Sequence, residues 1–96
     1  MPANLQQLRI LVVDDNPHML KIVRTILNAF GVVNIFEAET ARDSLEIAKH
    51  ESIDIVIADY QMEDIDGLEL VRRLRSEDTT CNPLIPIVML SAYSER

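Results

Sequence analysis

Four short stretches rich in branched apolar residues, each giving way to polar residues, limit what this sequence can fold into. They are residues 8–13, 32–37, 53–58 and 84–90. The first, third and fourth are almost continuously apolar, the pattern of strands buried on both faces of a parallel sheet. Between them lie segments of helical period. Asn16-Pro17 reads as a helix start, with Asn as N-cap and Pro at the first helical position. Leu20, Val23, Ile26, Leu27 and Phe30 then recur at three- and four-residue steps, and Gly31 sits where a C-terminal cap belongs. Thr40 is the expected cap of a second helix with Ala41, Leu45 and Ala48 inward, and His50 closes it. A third helix follows Gly67, with Leu68, Val71 and Leu74 inward and Arg72, Arg73 and Arg75 outward. Regular strand–helix alternation with short connections predicts an α/β fold: a doubly wound parallel sheet with helices on both faces.

In such sheets ligands gather beyond the carboxyl ends of the strands, where strand order reverses. Three strand ends carry polar residues there: Asp14 and Asp15 after the first, Asp59 after the third, Ser91 after the fourth. If the first and third strands are neighbours, three carboxylates share one cleft. Their mutual repulsion raises pKa values unless a cation sits among them. Mg2+, a hard ion that takes oxygen ligands, suits that donor set. A carboxylate there is also a competent nucleophile toward phosphorus, and the Ser91 hydroxyl a donor to phosphoryl oxygens.

Composition narrows the partners. The 96 residues carry 9 Lys and Arg against 16 Asp and Glu, a net charge of −7, which repels nucleic acid phosphate. A cation or a basic partner fits better. The single cysteine, Cys81, offers neither an internal disulfide nor a Cys-rich zinc site. With no basic-then-apolar leader and no apolar run near membrane length, the expectation is a cytoplasmic protein without a membrane partner.

The pieces L-V-V-D-D-N-P at 11–17, I-V-I-A-D-Y-Q-M at 55–62 with Gly67, and I-V-M-L-S-A at 87–92 together resemble a response-regulator receiver domain. The resemblance spans nearly the whole chain and implies a flavodoxin-like sheet, with residues 1–96 as one receiver domain that lacks its C-terminal part. It implies that Asp59 is the phosphoacceptor. Asp15 would be a direct Mg2+ ligand, Asp14 the holder of a metal-bound water, and Asp59 itself and the backbone carbonyl of Gln61 further ligands. Ser91 would be the switch hydroxyl. A histidine kinase or histidine phosphotransfer protein would supply the phosphoryl group, and the domain would act as a regulatory switch, not an enzyme on a separate substrate.

Two departures stand out. Glu63 occupies the position after Met62 where the family usually has Pro. The family also carries a fifth strand with a phosphoryl-pairing Lys, an aromatic switch residue and a last helix, none of which follows Arg96. Lys21 and Lys49 fall in expected helices and do not replace that Lys. A sequence that stops early is the favoured explanation, over a disordered tail or a short chain completed by dimerisation. In the chain as it stands, the fourth strand would be an apolar sheet edge open to strand exchange or homodimer formation.

Other readings fit less well. A phosphohydrolase of the haloacid dehalogenase type wants a second Asp two residues after the first, where this chain has Gln61. A docking-only receiver leaves the acidic triad without a purpose. A flavin binder wants a Ser/Thr/Gly-rich phosphate loop where this chain has two Asp residues. Asp64, Asp66 and Gly67 hint at a calcium loop, but counting back from Gly67 puts Met62 at its first ligand position.

Overall fold

The computed structural model describes residues 4–60, 62, 64–76 and 84–90. After a 3-10 turn at Leu5–Gln7 the elements run β1 (Arg9–Val13), α1 (Pro17–Ala29), β2 (Asn34–Ala38), α2 (Ala41–His50), β3 (Ile55–Asp59), α3 (Gly67–Leu74) and β4 (Ile87–Leu90). The strands form one parallel sheet in the order β2-β1-β3-β4, so strand order reverses between β1 and β3. This is the parallel sheet that the alternating pattern predicts, in the flavodoxin-like arrangement that the family resemblance implies.

Strand alternation divides the core in two. Leu11 and Val13 of β1 and Val56 and Ala58 of β3 face α2 and α3, where Ala41, Ala48, Leu70 and Leu74 close over them. Ile10 and Val12 face the other way, onto Leu20 of α1, with Val23, Leu27, Ile55 and Ile57 around them. Both faces of β1 are therefore buried, which is why its sequence lacks a polar alternation.

Local chemistry sets the element ends. The Asn16 side chain accepts the His18 N–H at 2.9 Å, and Pro17 opens α1 where no intrahelical N–H partner is needed. Gly31 follows the helix at φ +98, with its N–H on the Asn28 carbonyl and the Val32 N–H on the Leu27 carbonyl, both at 3.0 Å. That pairing is a Schellman motif, and the positive φ explains the glycine. Thr40 caps α2 through the Asp43 N–H at 3.0 Å.

Several expectations are corrected. Ile26 of α1 and Phe30, its C-cap, are exposed, at 51% and 69%; the helix turns Leu20, Val23 and Leu27 to the sheet. In α3 the inward pair is Leu70 and Leu74, spaced four residues apart, while Leu68 is exposed. An eight-residue helix contacts the sheet along one narrow stripe, and a three-residue step from Leu68 drifts off it. The fourth strand starts at Ile87, not residue 84. Pro86 has no N–H to donate, although its carbonyl still accepts the Val56 N–H at 3.0 Å. Of the outward arginines, Arg72 and Arg73 both pair with Glu69 (2.8 and 3.0 Å), and Arg75 donates to the Ile85 carbonyl.

Candidate functional site

The reversal between β1 and β3 brings two strand ends together with nothing between them. Val13 and Ala58 are register partners, so Asp14, next after Val13, and Asp59, next after Ala58, emerge side by side. Carboxylate oxygens from Asp14, Asp15 and Asp59 lie within 4.8 Å of one another. The sheet thus assembles the three acidic residues that the strand ends predict. Gln61 and Ser91, the other two expected site residues, lie outside the described residues, as does Cys81.

The three carboxylates differ in setting. Asp14 is buried, Asp59 half-buried and Asp15 exposed. The Asp14 backbone N–H donates to the Ala38 carbonyl at 3.0 Å, and its carboxylate accepts the Asn16 N–H at 2.9 Å. Burial pushes the Asp14 carboxyl above the ordinary carboxylate range; the Asn16 hydrogen bond works against that, and the charges of Asp59 and Asp15 add to it. Among the described residues no Lys, Arg or His forms an ion pair with Asp14 or Asp15. A buried, raised carboxylate among two others is a donor set that gains most from a small hard cation.

The far wall is the segment between Asp59 and α3. Tyr60 donates its N–H to the Leu90 carbonyl at 3.0 Å, joining the end of β3 to the end of β4. Gly67 donates to the Tyr60 carbonyl at 2.7 Å. A Cβ at Gly67 would fall 2.9 Å from that carbonyl oxygen and 3.0 Å from the Tyr60 Cα, and would collide with the Met89 side chain. The glycine is required by this close approach, since its φ is not positive. Asp66 caps α3 through the Glu69 N–H at 2.9 Å.

One residue escaped the sequence reading. Asp64, weighed only as part of a failed calcium loop, accepts the Ala41 N–H at 3.1 Å and the Arg42 N–H at 2.9 Å. It caps α2 from a distant segment. Burial alone would raise its carboxyl; the backbone N–H groups of Arg42 and Ala41, with those of Ile65 and Asp64 itself, outweigh burial and hold it below the ordinary range. Nothing local in the sequence signals a cap 23 residues away.

Residues 10–96 match the family described as response regulator receiver domain. The chain is 29% identical over 91 residues to chemotaxis protein CheY-3 of Vibrio cholerae, covering 95% of this chain and 68% of that protein. Among solved structures it resembles the chemotaxis response regulator CheY4 of Vibrio cholerae, with a TM-score of 0.80 and 26% identity over 92% of this chain and 71% of that one. It also resembles the MaeR response regulator bound to beryllium trifluoride, with a TM-score of 0.79 and 27% identity over 93% of this chain and 70% of that one. No helix among the described residues is long and apolar enough to cross a membrane. With its β2-β1-β3-β4 sheet and its acidic cleft at the β1/β3 reversal, the chain belongs to the response-regulator receiver family of two-component signalling.

Proposed function

We propose that the cleft is a working phosphoacceptor site and that Asp59 takes the phosphoryl group from a histidine kinase or histidine phosphotransfer protein. The observation that carries this reading is the convergence of Asp14, Asp15 and Asp59 oxygens within 4.8 Å at the sheet's reversal point. An Asp59 oxygen attacks phosphorus in line. The bond from phosphorus to the donor's histidine nitrogen breaks, and its electron pair leaves with the imidazole. Asp15 and Asp59 would hold the cation, with Asp14 acting through a water and the Gln61 carbonyl as a further ligand. Mg2+, when bound there, offsets the charge on the transferring phosphoryl oxygens. Ser91 donates its hydroxyl to the phosphoryl group, and the new charge on Asp59 biases a partner-binding surface between two states. The domain promotes its own phosphorylation and dephosphorylation and acts on no separate substrate, in the cytoplasm.

Intact-protein mass before and after incubation with acetyl phosphate and Mg2+ tests the reading. The expected result is a gain of one phosphoryl group, labile in base and absent in Asp59→Asn. Labelling that survives in Asp59→Asn overturns the assignment.

A further inference from the structure

We infer that Asp64 is a positioning residue for the acidic cleft: its carboxylate clamps the segment between β3 and α3 onto the N-terminus of α2 and so fixes Asp59 relative to Asp14 and Asp15. The inference deepens the phosphoacceptor reading and rests on it.

The two walls of the cleft come from β1 and β3, which pair directly below it, and a second set of hydrogen bonds joins their ends through β2 and α2. On one side, Asp14 donates its N–H to Ala38, the last residue of β2, at 3.0 Å. From Ala38 the chain passes through Thr40 into Ala41 and Arg42, the first two residues of α2. There each carboxylate oxygen of Asp64 takes one N–H, Ala41 on Oδ1 and Arg42 on Oδ2. On the other side, Asp64 lies between Asp59 and α3. This segment is tied back to β3 by the Gly67 N–H on the Tyr60 carbonyl at 2.7 Å, and Met62 is packed against the core. The path Asp14–Ala38–Ala41–Asp64–Tyr60–Asp59 is closed by the Val13 and Ala58 pairing of β1 with β3, so it links the ends of the two strands that carry the cleft. Asp64 is the one link in it made by a side chain.

The link is made through charge as well as geometry. The orphan N–H groups at a helix start carry partial positive charge, so an ionised carboxylate spanning two of them is held more firmly than a neutral cap. Thr40 caps the same helix through the Asp43 N–H, a bond within its own helix. Both caps support α2, and of the two only Asp64 joins it to the segment that follows β3.

That difference supplies the test. Asp64→Ala, Asp64→Asn and Thr40→Ala are each titrated with Mg2+ by calorimetry, at a temperature where all are folded by circular dichroism. Amide exchange at Ala41 and Arg42 is followed in parallel. Asp64→Ala is expected to weaken Mg2+ about three- to tenfold, less than the loss of a group bonded directly to a metal ligand, because Asp64 acts through the backbone. Asp64→Asn, which keeps one acceptor oxygen, should fall between Asp64→Ala and the unmodified chain. Thr40→Ala should speed exchange in α2 and leave the Mg2+ affinity within about twofold of the unmodified chain. Unchanged affinity in Asp64→Ala overturns the clamp, and so does an equal loss in Thr40→Ala, which would reduce the effect to helix stability. If the unmodified chain itself binds no Mg2+, the phosphoacceptor reading fails and takes the clamp's role with it. Faster Ala41 and Arg42 exchange in Asp64→Ala would then mark that failure as one of the cleft, since the cap itself would still be seen.

Discussion

The two ends of this parallel sheet carry similar numbers of charged side chains and use them in opposite ways. At the amino end, Asp54 accepts the Arg9 N–H at 2.9 Å and returns its own N–H to the Arg9 carbonyl at 2.8 Å. The Arg9 guanidinium meets Glu51 at 2.8 Å and the Ser52 carbonyl at 2.6 Å, and lies 4.9 Å above the Phe36 ring. Each charge there has a partner. At the carboxyl end, Asp14, Asp15 and Asp59 face one another, and burial lifts the Asp14 carboxyl above its ordinary range. Charges that serve the fold are neutralised where they stand. A buried carboxylate beside two like charges costs the fold something, and the structure keeps Asp14 in that setting where strand order reverses.

Substitutions at the two ends sharpen this contrast. The largest loss of stability is expected from Gly67→Ala, about 2–3 kcal/mol in urea unfolding, because the added methyl meets the Tyr60 backbone, which has little room to move. A loss under about 0.5 kcal/mol would mean that the wall beside Asp59 is looser than its hydrogen bonds imply. Arg9→Ala comes next, at about 1–2 kcal/mol. The Glu51 pair is partly exposed and contributes little alone, so most of the loss comes from the Ser52 hydrogen bond and the Phe36 stacking. Asp14→Asn should go the other way, raising the Mg2+-free melting temperature by a few degrees, about 2–5 °C, as a buried charge beside two like charges is removed. If Arg9→Ala and Asp14→Asn shift stability in the same direction, the contrast between the two ends is broken.

The smallest expected effect is on pH dependence. Asp14 has a raised carboxyl in the fold, so the folded state holds its proton longer than the unfolded chain does. Its contribution to stability therefore declines as pH rises through the window between the unfolded and folded pKa. Asp64 has a lowered carboxyl, so its contribution is present above the unfolded pKa and is lost as pH falls through the folded one. Asp64→Ala should flatten the acid limb of a melting-temperature profile, and Asp14→Asn the rise in stability on mild acidification. A profile unchanged by either substitution would contradict these assignments.

How much of this was legible in the sequence follows from how local each signal is. Asn16-Pro17, Gly31 and Thr40 report on their own helix ends, and the structure uses each as the pattern predicts. The acidic cleft was also legible, because strand ends at a reversal point are placed by topology, and topology follows from the alternating pattern. Facing was harder. Ile26, Phe30 and Leu68 have the spacing of core residues, yet each helix spends its contact on a narrower stripe. Exposed apolar residues are common and a periodic pattern alone does not sort them. Two features were invisible: the Asp64 cap on α2 and the Gly67 approach to Tyr60. Both depend on segments meeting in space, and no short-range pattern encodes them.

The most direct test of the central claim, that the carboxyl end keeps its repelling charges for a cation, is the melting temperature with and without Mg2+ at matched ionic strength. The account predicts that Mg2+ stabilises the unmodified chain, by about 1.4 kcal/mol at ten times its dissociation constant, and that Asp14→Asn loses most of that gain. Equal melting temperatures with and without saturating Mg2+ in the unmodified chain would contradict it.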